Sequence, residues 1–267
     1  MKKFGLTLLV GASLLLFAAC GNNSEKAESA ADKKEVIVGL DDTFVPMGFQ
    51  DDQGEIVGFD VDLAKAVFDL TGTKVKFQAI DWSMKETELD NGTIDMIWNG
   101  YTKTEAREKK VLFSDTYMEN KQVLVTAKDS NITSFDAMKG KVLGAQEGSS
   151  GYDTFNNQPE VLKDIVADNE ATLYASFNEA FIDLENGRID GLLIDRVYAE
   201  YYLTQTKKAD AFNVIESPFK SENFAVGVRK DDQALADKIN DGLKKLQENG
   251  KFAEISEKWF GEDVSPK

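Results

Sequence analysis

Short apolar runs and stretches of helical periodicity alternate along most of the chain. Val36-Ile37-Val38-Gly39-Leu40 has the unbroken apolar character of a buried strand. A loop, Asp41–Met47, follows it. Gly54 marks a turn, and a helix runs from Gly58 to about Leu70, because Val61, Ala64, Val67 and Phe68 recur on one face. Lys74–Phe77, Ile94–Trp98, Val123–Val125, Lys141–Ala145 and Phe224–Val228 read as further strands. Ser134–Met138 is a short capped helix ended by Gly140. Asp232–Gly250 is a long amphipathic helix, and Lys251–Trp259 is a last one, stopped at Phe260-Gly261.

Two segments share one grammar. Ser83–Asn99 reads SMKETELDNGTIDMIWN and Ser176–Asp195 reads SFNEAFIDLENGRIDGLLID. Each opens with Ser-x-x-Glu, a capping box at Ser83/Glu86 and at Ser176/Glu179. Each closes its helix with Asn-Gly, whose residues tolerate a left-handed turn. Each then carries x-Ile-Asp and an apolar strand ending on a polar residue, Asn99 or Asp195. The repeat is imperfect, since the second helix is longer. Two similar α/β halves predict two lobes, with a ligand outside the carboxyl ends of the strands. No Gly/Pro/Ser-rich linker parts the halves. Paired strands then join them, with Val123–Val125 as the first crossing and Phe224–Val228 as the return, which favours hinge bending.

The corner after the first repeat concentrates candidate chemistry. Asn99-Gly100 ends a strand with a residue that lets another group approach the backbone. Thr102 and Glu105 fit a capping box that opens a helical turn, and Arg107 lies in that turn. Free N–H groups, the helix dipole and an arginine can together hold a carboxylate. The same residues also fit a plain strand-to-helix corner with a surface Arg–Glu pair. Gln146-Glu147-Gly148-Ser149-Ser150-Gly151 offers a second set of N–H donors, or an ordinary connection. Phe44, at a strand's carboxyl end, either covers a ligand or packs in the core.

The start of the chain reads as a targeting segment. Met1-Lys2-Lys3 is charged and Gly5–Ala19 is apolar, too short for a membrane span and right for a signal peptide. Cys20, the only cysteine, follows Phe17-Ala18-Ala19 and resembles the lipidated cysteine of a bacterial lipobox. Asn22–Lys34 is polar and non-periodic, as a flexible tether is.

Composition removes whole classes of function. There are 47 Asp+Glu against 31 Lys+Arg, a formal charge of −16, which argues against nucleic-acid binding. There is no histidine. Ser-His-Asp and Cys-His catalysis and the usual zinc sites are therefore excluded. No P-loop and no Gly-x-Gly-x-x-Gly after a strand is present, and neither a cofactor nor a metal is expected. Abundant carboxylates leave acid–base work by an Asp/Glu pair open.

The chain resembles a family 3 solute-binding protein, the amino-acid receptor of a bacterial ABC importer. Gly58-Phe59-Asp60-Val61-Asp62-Leu63-Ala64-Lys65-Ala66-Val67 carries the most specific signature. Asn99-Gly100-Tyr101-Thr102 with Arg107, Phe113-Ser114-Asp115, Ile194-Asp195-Arg196 and Lys258-Trp259-Phe260-Gly261 support it. The resemblance implies a two-lobe, hinge-bending α/β fold of the type II periplasmic-binding-protein kind, with a ligand cleft between the lobes. The expected layout is a signal peptide at 1–19 and a lipidated tether at 20–35. Residues 36–121 with 223–267 form lobe 1, and 122–222 form lobe 2.

The resemblance also implies roles. Phe44, with Asp41 before it, stacks on the ligand, and Trp82 lies opposite. Gly100 and Thr102 contact the ligand carboxylate, which Arg107 clamps. Gln146, Ser149 and Ser150 close over it, and Asp195 takes the α-amino group. Asn99 stands where many relatives have a small residue. The implied function is a lipid-anchored receptor outside the cell membrane that passes a free, polar L-amino acid to an ABC permease. Binding replaces catalysis. The alternative is an enzyme on the same fold, a dehydratase or a glycan-cleaving lytic enzyme, and a further one is a sensor fused to a membrane receptor.

Overall fold

The computed structural model describes residues 29–266. The expected signal peptide and Cys20 lie outside the described residues. Two five-stranded sheets carry the fold. In the first, Glu35–Leu40 is flanked by Lys74–Ala79 and Met96–Ile97, both parallel to it. Gly227–Val228 and Leu112–Phe113 continue the sheet antiparallel. In the second, Leu143–Gln146 is flanked by Ala171–Tyr174 and Gly191–Asp195, again parallel. Gln122–Ala127 and Phe212–Glu216 continue it antiparallel. The two sheets thus share one order and one set of strand senses. The sequence repeat is the visible part of this: helix Lys85–Asp90 with strand Met96–Ile97 matches helix Phe177–Glu185 with strand Gly191–Asp195.

The chain enters the second sheet and returns through a short antiparallel ribbon, Met118–Asn120 against Glu222–Phe224. This corrects the expected crossings. Val123–Val125 lies inside Gln122–Ala127, the strand between Gly191–Asp195 and Phe212–Glu216. It is apolar because it is buried within a sheet, and the crossing strand is the more polar Met118-Glu119-Asn120. The expected return strand splits in two, with Glu222–Phe224 in the ribbon and Gly227–Val228 in the first sheet.

The C-terminal helices Gln233–Glu248 and Lys251–Phe260 pack on helix Phe59–Asp69 beside the first sheet. Gly242 lets Gln233–Glu248 lie directly against helix Phe59–Asp69, since a Cβ there would meet Val67 Cγ1 at 2.5 Å. Phe59 meets Phe252 and Phe260 edge-on, with ring centroids 5.8 and 5.0 Å apart.

Local readings differ in four places. Residues 29–34 are not a free tether. Ser29 caps a helical turn Ala30–Asp32, Ala30 is buried, and Asp232 accepts from Ser29 Oγ and from the Ala30 N–H at 2.9 Å. Helix Glu105–Glu108 is capped by Thr104, whose Oγ1 takes the Arg107 N–H, and not by Thr102. Asp81, not Ser83, caps the turn Trp82–Met84, accepting from Ser83 N at 2.9 Å. The second capping box does use its serine: Ser176 Oγ takes Glu179 N. The loop expected at Asp41–Met47 contributes Thr43–Phe44 to a small sheet with Gly48–Gln50 and Ile56–Val57, strands too short to show periodicity. Among the described residues no helix is long and apolar enough to cross a membrane, and no cluster of three or more His, Cys, Asp or Glu could hold a metal.

Candidate ligand-binding site

The eleven residues singled out from the sequence lie at strand ends and helix starts. Asp41 follows Glu35–Leu40, and Asn99 and Gly100 follow Met96–Ile97. Gln146 ends Leu143–Gln146, and Asp195 ends Gly191–Asp195. Trp82 opens the turn before helix Lys85–Asp90, and Ser149 caps helix Ser150–Asn157. All eleven, Phe44, Thr102 and Arg107 among them, line one cavity between the lobes.

One end of the cavity favours an anion. Arg107 is buried, at 4 % exposure, beneath the cavity. Its Nη1 donates to Thr102 O and its Nη2 to Gly148 O, both at 3.0 Å, and its guanidinium lies 4.8 Å from the Tyr101 ring centroid. Asp153 and Glu86 stand at 3.6 and 4.0 Å. Thr102 forms a bridge with Phe224 in which Lys103 N reaches Asn223 O and Ala225 N reaches Tyr101 O. In such a non-hydrogen-bonded pair the N–H and C=O of Thr102 point away from the ribbon. The C=O meets Arg107, and the N–H is left for another acceptor. Across the gap, helix Ser150–Asn157 presents its first-turn N–H groups, with Ser149 Oγ taking that of Tyr152. Ser150 Oγ lies 3.1 Å from Thr102 Oγ1, so the two lobes touch here.

The other end favours a cation. Asp195, 5 % exposed, accepts from Asn120 Nδ2 at 2.6 Å and from Gln122 Nε2 at 2.9 Å. Burial raises the Asp195 carboxyl above the usual carboxylate range, and Glu222 nearby raises it further.

The remaining wall is aromatic and amide-lined. Phe44 packs against Phe177 and Tyr198 of the second lobe, at 5.9 and 5.7 Å between centroids. Gln146 Nε2 donates to Asp41 Oδ2 at 2.7 Å, a further direct link between lobes. Asp41 also takes Thr43 N and Oγ1, and its pKa is raised by burial. Asn99 Oδ1 accepts from Asp41 N at 3.0 Å, which fixes the loop carrying Asp41.

Gly100 departs from its expected part. Its N–H donates to Asp60 Oδ2 at 2.7 Å, so it is not free for a ligand carboxylate. Gly100 serves by its shape: its φ is +58°, and a Cβ would meet Phe44 Cε1 at 2.7 Å. Asp60 also takes Tyr117 OH at 2.8 Å, and burial pushes its carboxyl up to about 7.

Sequence reasoning missed several cavity neighbours. Lys85 is 2 % exposed and sends its Nζ to Trp82 O at 3.0 Å and to Gly148 O of the other lobe at 2.9 Å. Burial first, and Arg107 second, lower it to about 7. Asn120, Gln122 and Glu222 gather at Asp195 only because the ribbon brings residues about 100 positions apart together. No local pattern announces them. Asp60 lies within the 58–67 signature, and that was the available signal.

Comparison with known proteins agrees with this geometry. The profile of the bacterial extracellular solute-binding proteins, family 3, matches residues 36–262. The arginine-binding extracellular protein ArtP of Bacillus subtilis is 30 % identical over 262 residues, 97 % of this chain and 98 % of that one. The ABC transporter glutamine-binding protein GlnH of the same organism is 32 % identical, covering 98 % and 99 %. The crystal structure of an ABC uptake transporter substrate-binding protein from Streptococcus pneumoniae with bound histidine superposes with a TM-score of 0.87 at 56 % identity, covering 88 % of this chain and 95 % of that one. With its two matched sheets, its hinge ribbon and its interlobe cavity, the chain belongs to the bacterial extracellular solute-binding proteins, family 3.

Proposed function

We propose that the protein is a lipid-anchored receptor that binds a free polar L-amino acid between its lobes and delivers it to an ABC importer permease. One observation carries the reading: a small cavity between the lobes has a buried arginine and a helix N-terminus at one end and a buried carboxylate at the other. That is the charge layout of an α-amino acid's own carboxylate and ammonium. Arg107, the Thr102 N–H and the first turn of helix Ser150–Asn157 hold the carboxylate. Asp195 holds the ammonium. Phe44 and Trp82 sandwich the side chain, whose polar end meets Asp41, Asn99 and Gln146. Residues 36–121 with 223–267 act as one lobe and 122–222 as the other, and closure is the signal that the permease reads. These groups recognise and occlude a ligand, and the role is binding, not catalysis.

The arginine, glutamine and histidine relatives support a polar side chain. A thermal-shift panel of the twenty amino acids plus cystine tests the reading. A rise in melting temperature is expected with one or a few polar members and none with aliphatic ones. A flat panel would contradict it. Anchoring at Cys20 has its own test: Cys20→Ala should leave the membrane fraction and keep ligand binding. A variant that stays with membranes as the parent does would remove the anchor.

A further inference from the structure

Glu222 belongs to the ribbon strand Glu222–Phe224, outside the set of residues that line the cavity. Its Oε2 is nonetheless a meeting point. It accepts from Gln122 Nε2 at 3.0 Å, Ser150 Oγ at 3.1 Å, Thr102 Oγ1 at 3.2 Å and Asn120 Nδ2 at 3.4 Å. Two of those donors are shared. Asn120 Nδ2 and Gln122 Nε2 also reach Asp195 Oδ1, at 2.6 and 2.9 Å. An amide nitrogen carries two hydrogens, so each can serve one carboxylate with each. The pair of amides therefore holds the two acidic side chains side by side.

Neutral amides orient two carboxylates but do not cancel their charge. A like charge beside a buried carboxyl disfavours its ionised form, and a cation between the two offsets that. The charged groups facing the pair are few. Arg107 approaches from the first lobe, but its guanidinium is engaged with Thr102 O and Gly148 O, and Asp153 lies beyond it. Thr102, Asn120, Gln122 and Ser150 complete the shell and are neutral. Two acids are thus arranged for one positive guest.

We propose that Glu222 is the second carboxylate of the ammonium subsite, so that the ligand's α-ammonium lies between Asp195 of the second lobe and Glu222 of the hinge ribbon. The inference rests on the amino-acid receptor reading. It has a chemical consequence that a mere strut in the hinge lacks. The empty pair holds its proton at Asp195, whose carboxyl is raised by burial and then by the neighbouring Glu222. When the ammonium enters, the O–H proton of Asp195 leaves for solvent and its carboxylate pairs with the new cation. Ligand binding and proton release are then one event.

Calorimetric titration near pH 7, in two buffers of different ionisation enthalpy, counts the protons. The probes are L-arginine, L-glutamine and L-histidine, each beside its analogue without the α-amino group, with histidine's imidazole proton subtracted. The parent should release close to one proton per amino acid bound. Glu222→Gln should bind at least ~10-fold more weakly and release almost none, while its affinity for the amino-free analogue stays within about threefold of the parent's. Proton-neutral binding by the parent would overturn the inference without any variant and leave the receptor reading standing. A Glu222→Gln protein with parental affinity and proton release would do the same, as would equal weakening toward amino acid and analogue, the mark of a strut. A parent that binds no member of the panel of twenty amino acids and cystine would sink the receptor reading and this inference with it.

Discussion

Lys85 joins the lobes through its ammonium, which donates to the carbonyls of Trp82 and Gly148. Gly148 O takes Arg107 Nη2 as well, so one carbonyl of the second lobe anchors two cations of the first. Burial and the neighbouring arginine lower Lys85 from 10.5 to about 7. A lysine exposed by opening or unfolding keeps its proton up to the usual range, whereas the closed form loses it from about pH 7 upward. Between those values the closed form binds fewer protons, so its stability rises with pH. Below about 7 both forms are charged and the slope disappears. Lys85→Met removes the ammonium and keeps much of the stem. The difference in melting temperature between parent and variant should change steadily from pH 7 to 10 in the parent's favour. A difference independent of pH would show that Lys85 titrates normally and is no part of closure.

The elements place these residues, and Asp60 shows how. It sits in the first turn of helix Phe59–Asp69 and accepts the Gly100 N–H just beyond strand Met96–Ile97 and the hydroxyl of Tyr117. Helix, strand end and the segment entering the ribbon are thereby tied at one carboxyl. Asp60→Ala would strand two buried donors at ~1–3 kcal/mol each. A loss of roughly 2–5 kcal/mol in denaturant unfolding is expected, with ligand affinity reduced through a loosened Gly100. Loss below ~0.5 kcal/mol would mean that water replaces the carboxyl. Much of this scale was legible in sequence. The repeated Asn-Gly turns fixed where each helix stops and each site strand starts, and the polar residue after each apolar run marked Asn99 and Asp195. Two caps were misplaced by two residues, because Thr102 stands three before Glu105 just as Thr104 stands three before Arg107, and Ser83 stands three before Glu86 while Asp81 caps the preceding turn. Val123–Val125 was misread as a crossing because an apolar run says that a strand is buried, not which strands it lies between. Glu222, Asn120 and Gln122 were invisible because strand pairing, which no local pattern encodes, creates their cluster.

At the scale of the molecule, the lobes meet through contacts that depend on closure. Arg107 and Lys85 reach Gly148, Gln146 reaches Asp41, Thr102 reaches Ser150, and Phe44 lies on Phe177 and Tyr198. Phe49 adds a ring contact to Tyr201 at 6.3 Å. In the proposed function each lobe supplies one half of a charge clamp, Arg107 from the first and Asp195 from the second, and the ligand completes the circuit. A buried charge that loses its partner costs ~2–5 kcal/mol, roughly 1.5 to 3.5 decades in affinity, against ~0–1 kcal/mol for an exposed pair. The decisive measurement is calorimetric affinity of the parent, Arg107→Ala and Asp195→Ala for the amino acid and for its two analogues, one without the carboxylate and one without the amino group. Both variants should lose between about 30-fold and 3000-fold for the amino acid. The analogue without carboxylate should lose its handicap only in Arg107→Ala, and the analogue without the amino group only in Asp195→Ala. Losses under about threefold in both variants, with unfolding unchanged, would place the ligand elsewhere and contradict the account.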